Sequence, residues 1–300
     1  MKEKLVTILT PTYNRAYCLN NLYNSLLKQN DLDFTWLIID DGSSDDTKDV
    51  VSKMEEENKI PIQYIYKNNG GKHTALNVGI SKIKTKYVFI VDSDDVLSED
   101  AIEKIKAADM TYGELSDICG YSFLRRYPDG KINGKLFEPD GIIDTYINVR
   151  LFGDDSFADK AEVFFTDILK KFPFPEFEGE RFLGEDIVWI ELSKKYKMVH
   201  LNNPIYIGDY QTDGLTKNRR KNNIKSCKGC YARSKTFLTV KLPFKVKVKN
   251  VLQLVVYGKF CGYKFKDMYK DYRNFFLIAL YVPALFLYFN WKKKYVIEGK

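Results

Sequence analysis

The stretch that decides the fold reads YVFIVDSDD, from Tyr87 to Asp95. Its first five residues form a short, continuously apolar and β-rich run, which is typical of a strand buried in a parallel sheet. Three carboxylates follow at the carboxyl end of this strand, where open α/β sheets bind ligands. These groups repel one another unless a cation neutralises them, and hard oxygen ligands favour Mg²⁺ or Mn²⁺. The alternative is a solvated loop that carries helix-capping aspartates.

The first hundred residues alternate between strand and helix patterns. Apolar, β-rich runs predict strands at 5–10, 35–39, 62–66 and 87–91. Apolar periodicity and capping residues predict helices at 15–29, 45–57 and 72–82, and a further helix from residue 98. This order predicts an α/β fold in which a parallel sheet has helices on both faces.

Beyond residue 116 this alternation stops. The pattern predicts a hairpin, in which strands Ile118–Arg126 and Lys135–Phe137 flank a Pro-Asp-Gly turn. Helices are then predicted at Ala161–Lys171 and Ile187–Tyr196. A strand pattern follows around His200. We therefore expect a mostly parallel but mixed sheet.

Composition indicates a globular protein with an uneven distribution of charge. Of the 300 residues, 45% are hydrophobic and 29% are charged, which excludes a disordered chain. Residues 217–300 hold 21 Lys and Arg but three acids, so they carry +18 within a total of +7. A basic region attached to an acidic body suggests an anionic partner, either a membrane surface or nucleic acid. The five cysteines are odd in number and scattered, which argues against a disulfide framework.

The basic region also contains an apolar block. Helices are predicted at 222–240 and 246–263, and fifteen apolar residues follow from Phe275 to Phe289. At ~1.5 Å per residue this block reaches about 22 Å, short of the roughly 30 Å hydrocarbon core of a bilayer. An interfacial or re-entrant helix with basic anchors fits better than a full span. The alternative is a helix buried on the core. Nucleic acid is disfavoured because the aromatic residues are contiguous rather than interleaved for base stacking.

Polar clusters follow each of the four predicted strands. They begin at Thr10, Asp40, Asn68 and Asp92, and read TPTYNR, DDGSSDDT, NNGGKH and DSDD. Because the carboxyl ends of parallel strands meet at one edge of a sheet, all four clusters should lie together there. Their order and spacing resemble those of the nucleotide-sugar-dependent inverting glycosyltransferases of family 2, which have the GT-A fold. The resemblance covers about residues 4 to 210 and leaves the basic C-terminal region outside.

The resemblance implies roles for residues near the nucleotide. Asp41 matches the residue that accepts a hydrogen bond from the imide N–H of a uracil or guanine ring. Pro11 and Tyr13 match residues that line the base and ribose pocket. Turn and capping chemistry is the alternative for Asp40 and Asp41.

Lys72 lies at a Gly-rich helix start, where backbone N–H groups and a cation favour phosphate. Many family members have Ala-Arg-Asn further along this helix, whereas this chain has Ala75-Leu76-Asn77. A leucine cannot hold a diphosphate. We expect Lys72 to supply that charge instead.

Asp92 and Asp94 match the Asp-x-Asp element of the family. The resemblance implies that Asp94 binds a Mn²⁺ or Mg²⁺ ion that bridges both phosphates. Asp92 would contact the ribose or the metal, and Asp95 would orient the pair. The metal neutralises charge on the departing nucleoside diphosphate.

Glu185 and Asp186 match the Glu-Asp motif that the family carries at a helix N-terminus near the acceptor. The resemblance implies that Asp186 is the general base and that Glu185 binds or orients the acceptor. Complementation of the helix dipole is the alternative for both. Trp189 is expected to pack beneath the helix. Some members use a late histidine as a metal ligand, but His200 is also compatible with a buried strand position.

These observations predict a GT-A catalytic domain at 1–216, followed by a helical membrane-associating region at 217–300. Residues 1–110 would bind the nucleotide-sugar and residues 111–216 the acceptor. The predicted activity is metal-assisted, inverting transfer from a UDP-sugar to a hydroxyl of a glycan or polyprenyl-linked glycan.

The predicted setting is bacterial surface-polysaccharide synthesis at the cytoplasmic face of the membrane. The alternatives are an enzyme that uses GDP-mannose and a polyprenyl phosphate, and a non-catalytic sugar-nucleotide-binding protein. No nucleic-acid partner is expected.

Overall fold

The computed structural model describes residues 4–153, 155, 158–208 and 219–298. The chain divides into two compact units. The first contains Met1–Pro173 and Lys195–Asp209, and the second contains Phe174–Lys194 and Tyr210–Lys300. The predicted boundary at residue 216 lies outside the described residues, so that division stays a prediction.

The β-α-β rhythm of the first hundred residues is confirmed. Its elements are β1 (Val6–Thr12), α1 (Ala16–Leu27), β2 (Phe34–Asp40), α2 (Thr47–Glu57), β3 (Ile62–Tyr66), α3 (Lys72–Lys82) and β4 (Tyr87–Ile90). Strand β1 lies between β2 and β4 and is parallel to both, and β3 extends the sheet in parallel beyond β2. All four carboxyl ends therefore lie at the same edge.

The rest of the first unit adds antiparallel strands and completes a mixed sheet. Its elements are β5 (Val96–Leu97), α4 (Ala101–Tyr112), β6 (Ile118–Arg126), β7 (Ile142–Asp144), a π-helix (Ile147–Phe152), β8 (Lys160–Phe165), α5 (Thr166–Leu169) and β9 (Lys197–Ile207). The strand order is β3-β2-β1-β4-β8-β6-β9-β5, and β7 pairs with β9. Strand β8 is antiparallel to both of its neighbours.

The helix predicted at 161–171 is only partly correct, because residues 161–165 belong to strand β8 and only Thr166–Leu169 forms a helix, α5. Val163, Phe164 and Phe165 are β-branched and aromatic residues, which favour a strand. They form cross-strand pairs with β4, and the first two also pair with β6. Gly120 lets the chains approach, since a Cβ there would lie 2.0 Å from the Val163 carbonyl oxygen. Burial between two strands overrides the helical pattern.

The predicted hairpin is also wrong in its second strand. Strand β6 forms as expected, but Lys135–Phe137 has no strand structure. The turn closes with a single bridge between Arg126 and Ile132. Strand β6 instead pairs with β8 on one side and β9 on the other, which satisfies its backbone groups inside the sheet.

The second unit is helical. Its helices are α6 (Asp186–Ser193), α7 (Arg219–Lys225), α8 (Cys227–Phe237), α9 (Phe244–Phe260), α10 (Phe265–Asp271), α11 (Phe275–Trp291) and a π-helix (Lys292–Ile297). The helix predicted at 222–240 is interrupted at Ser226, whose side chain accepts a hydrogen bond from the Phe182 backbone N–H. Helix α9 packs against α8 and α11 around a buried apolar cluster.

The C-terminal apolar helix is longer than the sequence indicated. Helical structure continues from Phe275 to Ile297, and these 23 residues are long and apolar enough to cross a membrane. One side of α11 is nevertheless buried, through residues such as Leu277 and Ala284. The length of this helix is therefore compatible with a membrane span. Its buried side is compatible with a helix that packs on the other helices of its unit.

His200 is buried in the sheet of the first unit. It lies in β9 with no exposed surface, its Nε2 is 3.3 Å from the Asp144 carbonyl oxygen, and its ring packs 5.0 Å from that of Phe137. Burial lowers the pKa of His200 to about 4. This environment agrees with the strand position that the sequence allowed.

We expect His200 to make the protein acid-sensitive. The unfolded chain binds a proton near pH 6.5 but the folded chain only near pH 4, so stability falls as the pH drops between these values. From pH 7 to 4.5 this single group should remove about 2–3 kcal/mol from the free energy of unfolding. Urea unfolding of wild type and His200→Asn across this range would measure it. Equal losses in both proteins would contradict the assignment.

Candidate active site

The loops that follow the four parallel strands are joined to one another. After β1, the Asn14 backbone N–H donates to Ser43 Oγ at 2.8 Å, which links the first and second loops. The Arg15 guanidinium lies 3.2 Å from Asp94 Oδ2, which links the first and fourth. The predicted convergence of the polar clusters at one sheet edge is confirmed.

Three carboxylates gather after β4. Asp92, Asp94 and Asp95 each place an oxygen within 4.8 Å of the others, close enough to share a cation. Burial raises the pKa of Asp94, and the neighbouring charge of Asp92 raises it further. Burial likewise raises the pKa of Asp95 to about 7, against the opposing effect of Arg125. A divalent cation would offset this cost, and oxygen ligands suit Mg²⁺ or Mn²⁺. The residues present therefore fit the expected metal.

Two residues that the sequence gave no reason to select donate hydrogen bonds to Asp95. Its Oδ1 accepts from Arg125 Nη2 at 2.9 Å, and its Oδ2 accepts from the Tyr206 hydroxyl at 2.9 Å. The same hydroxyl accepts from the Asp92 backbone N–H at 2.9 Å. Tyr206 therefore binds the turn at two points. Because both Asp95 oxygens already accept hydrogen bonds, Asp92 and Asp94 are more available as metal ligands.

Gly208 leaves the space that this arrangement needs. A Cβ atom at this position would lie 1.8 Å from Asp95 Oδ1 and 2.3 Å from Arg125 Nη2. Both distances are far below van der Waals contact. The glycine that directly follows β9 was a sequence signal for this contact, because a glycine beside a strand often marks a close approach.

Lys72 begins α3 and reaches the acidic turn. Its Nζ lies 2.6 Å from Asp92 Oδ1. The Gly70 and Gly71 N–H groups, which we expected to favour phosphate, instead donate to Asp41 at 2.9 and 2.7 Å. Leu76 is fully buried, as its apolar character requires. At the start of α3, the Lys72 side chain therefore brings a positive charge to the acidic turn after β4.

Asp41 is the hydrogen-bonding centre of the loop between β3 and α3. Besides the two glycine N–H groups, its carboxylate accepts from Lys67 Nζ at 2.7 Å and from Asn69 Nδ2 at 3.2 Å. It is 3% exposed. Its geometry therefore fixes the shape of this loop, and Lys67 is a further residue that the sequence did not indicate.

The other predicted nucleotide residues differ in exposure. Pro11 is buried in β1, beyond the last pairing with β4, where its missing N–H removes no hydrogen bond to that strand. Tyr13 is 46% exposed and presents a ring face to solvent. Asp40 accepts from the Tyr64 hydroxyl at 2.6 Å and the Ser43 N–H at 2.7 Å, which is turn chemistry.

The predicted base belongs to the second unit. Asp186 starts α6, and both of its oxygens accept from Arg233 of α8, with Nε at 2.5 Å from Oδ1. Glu185 is the preceding cap residue. Trp189 is buried and packs against Phe174 with ring centres 6.0 Å apart, as expected. Arg233 could not be selected from sequence, because it lies 47 residues away in the basic region.

Comparison with known proteins places part of the chain in a family. Residues 7–132 match the family model of glycosyl transferase family 2. This part of the chain belongs to that family. The chain is 39% identical over 102 residues to an uncharacterised glycosyltransferase of Mycoplasma genitalium, covering 32% of this chain and 34% of that protein. It is 28% identical over 221 residues to glycosyltransferase GlyG of Streptococcus pneumoniae, covering 68% and 70%.

A third relative is TuaG of Bacillus subtilis, a glycosyltransferase assigned provisionally to teichuronic acid biosynthesis. It is 30% identical over 123 residues, which cover 41% of this chain and 48% of TuaG. The chain thus spans between about a third and about 70% of the length of these three relatives. The family match itself lies in residues 7–132.

Solved structures share the fold of this chain. Residues 1–349 of TarS from S. aureus, in complex with UDP-GlcNAc, give a TM-score of 0.64 at 17% identity and cover 94% of this chain and 79% of that one. The mannosyltransferase PcManGT from Pyrobaculum calidifontis, with GDP-Man and Mn²⁺, gives 0.58 at 16% identity and covers 96% and 82%. The predicted GT-A fold is confirmed.

Removing the Tyr206 hydroxyl should weaken the acidic turn. Tyr206→Phe leaves the Asp92 N–H and Asp95 without a shared partner, and loss of such an outer contact typically lowers metal affinity about 10- to 100-fold. Titration calorimetry with Mn²⁺ in the presence of UDP would measure this. Tyr269→Phe, in α10, is the matched control and should bind as wild type. Unchanged affinity in Tyr206→Phe would show that the turn holds its shape without this residue.

Proposed function

We propose that the chain transfers a sugar from a nucleoside-diphosphate sugar, UDP-linked, to a hydroxyl of a glycan or polyprenyl-linked glycan. The reaction is metal-assisted and inverts the anomeric configuration. The observation that carries this proposal is the group of three carboxylates at the carboxyl edge of four parallel strands, with Arg15 and Lys72 in contact. Such a site combines metal ligands and cations, which is what a diphosphate requires.

The donor would lie along the loops after β1 to β4. Tyr13 offers an exposed ring for stacking on the base, and Pro11 lies in the strand that precedes it. The Asp41 carboxylate holds the loop before α3 in shape by accepting hydrogen bonds from two backbone N–H groups. The contact that the family resemblance implies, with the imide N–H of the uracil ring, would use the same carboxylate. TarS, which shares the fold, is found with UDP-GlcNAc and with UDP. That likeness supports a uridine donor here.

Asp94 and Asp92 would hold the Mn²⁺ or Mg²⁺ ion. Bound there, the ion supplies neutralisation of the negative charge that develops on the leaving diphosphate. Lys72 adds a positive charge beside Asp92. Tyr206 and Arg125 hold Asp95, so that the turn keeps its geometry when the ligand charges change. PcManGT, with Mn²⁺ in its structure, supports this choice of metal.

Asp186 would take the proton from the acceptor hydroxyl as that hydroxyl attacks the anomeric carbon, and Glu185 would bind or orient the acceptor. Direct displacement by a base-activated hydroxyl inverts the configuration in a single step. Arg233 fixes the orientation of the Asp186 carboxylate through two hydrogen bonds. A carboxylate that is orientated in this way still has lone pairs for a third donor.

A second candidate donor is GDP-mannose, with a polyprenyl phosphate as acceptor. The specific observation in its favour is that PcManGT, bound to GDP-Man, also shares the fold. The two donors differ in their nucleobase, uracil or guanine, so binding measurements with a panel of nucleotide-sugars distinguish them.

The C-terminal helices would hold the enzyme on the cytoplasmic face of the membrane. One face of α11 is exposed and apolar, through Phe275, Ile278, Val282, Phe286 and Phe289. Three consecutive lysines, residues 292–294, follow the helix and suit an anionic lipid surface. Surface-polysaccharide synthesis is the proposed setting, and the provisional assignment of TuaG to teichuronic acid synthesis supports it.

A UDP-sugar together with Mn²⁺ should raise the melting temperature of the wild-type protein, because a ligand that binds the folded state stabilises it. Asp94→Asn should lose the Mn²⁺-dependent part of this rise in melting temperature.

Asp186→Asn should keep donor binding but slow UDP release in the presence of acceptor about 100-fold or more. Asp129→Asn, in an exposed turn, is the control. Transfer by Asp186→Asn at the wild-type rate would exclude it as the base, and stabilisation by GDP-sugars alone would favour the second candidate.

Membrane binding should depend on the exposed face of α11. Phe286 is 74% exposed, and placing a charge there with Phe286→Glu should weaken binding to vesicles that contain anionic lipid about tenfold or more. Flotation of the protein with such vesicles measures this. Met110→Glu, at a residue 84% exposed in α4, introduces the same charge elsewhere and should have no effect. If both variants float like wild type, this face does not contact lipid.

A further inference from the structure

A cavity of about 760 Å³ lies in the first unit, between helix α1 and the strands beside the acidic turn. One wall consists of Asn21, Asn24 and Lys28 from α1, and the other consists of residues 96–100 and Arg126. We call this cavity the α1 groove. Ligand pockets in proteins commonly have volumes of about 300–1,000 Å³, so the groove has the size of a binding site.

Hydrogen bonds between the two walls fix the shape of the α1 groove. The Leu97 backbone N–H donates to Ser25 Oγ at 3.2 Å. Gln29 donates from Nε2 to the Ser98 carbonyl oxygen at 2.7 Å, and its Oε1 accepts from the Ile102 backbone N–H at 3.2 Å. Strand β5 also pairs with β9, which in turn pairs with β6. Because both walls are already held in place, a ligand would lose little affinity to ordering of the protein.

The α1 groove adjoins the acidic turn. Val96, which lines the groove, directly follows Asp95 in the chain. On the other wall, Arg15 immediately before α1 lies 3.2 Å from Asp94. The groove residues of α1 begin one turn further along and extend over residues 21–28, about 10 Å of helix. The groove therefore leads away from the proposed metal site along α1.

The lining of the α1 groove is polar and balanced in charge. Asn21 and Asn24 are exposed, and each amide group can both donate and accept hydrogen bonds. The charged lining residues comprise two cations and two anions, namely Lys28, Arg126, Glu99 and Asp100. This balance gives no preference for an anionic ligand such as a phosphate. Hydroxyl groups also donate and accept, so the lining matches a neutral sugar chain.

We propose that the α1 groove binds sugar units of a neutral oligosaccharide acceptor, at a distance from the hydroxyl that reacts. This inference rests on the proposed function and deepens it, because it names the acceptor as an oligosaccharide. It also places part of the acceptor against residues 21–100, which were expected to serve the donor. Hydrogen bonds to these remote sugar units would hold the acceptor beside the acidic turn, and such binding energy can be used to position the reacting group.

Binding of soluble neutral sugars tests the inference. Glucose, galactose, mannose and N-acetylglucosamine, each as the monosaccharide and as the linear hexasaccharide, are titrated into the full chain by calorimetry. UDP and Mn²⁺ are present at saturation so that the donor site is filled. At least one hexasaccharide should bind about tenfold or more tightly than its monosaccharide, because further sugar units add hydrogen bonds along the groove.

Variants of α1 locate the binding. The double variant Asn21→Ala and Asn24→Ala should lose about tenfold or more in affinity for that hexasaccharide, because two hydrogen-bonding groups are removed. Alanine favours a helix, so the fold should be kept. Asn20→Ala is the matched control, because Asn20 is an exposed asparagine of the same helix that does not line the groove. It should bind as wild type.

Four results would overturn the inference: no binding of any hexasaccharide, equal affinity for hexasaccharide and monosaccharide, equal affinity of wild type and double variant, or an equal loss in Asn20→Ala. Sedimentation velocity forms a further arm. If no hexasaccharide binds and the double variant dissociates a dimer that wild type forms, the groove is an interface between copies and not a sugar site. UDP affinity, measured separately on the same proteins, reports on the proposed function. Normal UDP binding without hexasaccharide binding would therefore reject this inference alone.

Discussion

Parallel pairing of β1 to β4 is the constraint on which the candidate site of the first unit depends. It brings four carboxyl ends to one edge, and the loops that leave them then share hydrogen bonds. Asn14 and Asp41 illustrate the result, since each bonds to a loop that follows a different strand. The loops therefore fix one another's positions through hydrogen bonds.

The acidic turn after β4 shows how a sheet edge holds three negative charges. Asp95 lies deepest and is satisfied by Arg125 and Tyr206. Asp92 and Asp94 are less buried, and each contacts a cationic side chain. Their oxygens, with that of Asp95, lie within 4.8 Å of one another. The turn depends on β6 and β9 for its shape, so the mixed half of the sheet supports the parallel half.

The C-terminal helices supply the partner of a residue in the proposed site as well as an exposed apolar face. Helix α8 supplies the guanidinium that orients Asp186, and α9 lies between α8 and the apolar helix α11. The packing of this unit therefore connects the exposed apolar face to the residue proposed as the base. Removal of residues 219–298 would take away Arg233 together with that face, and an acidic helix start would lose its partner.

The sequence by itself determined the order of strands and helices up to β4 at residue 90, because apolar period and capping residues are local signals. It also indicated the carboxyl-edge clusters, since parallel strands require them to meet. It failed for 160–165, where burial between two strands outweighed a helical pattern. Only the tertiary structure decided the partners of Asp95 and Asp186. Tyr206 lies 111 residues from Asp95, and Arg233 lies 47 from Asp186. No local period encodes such contacts, because they arise when separate elements pack and a buried carboxylate must find a donor.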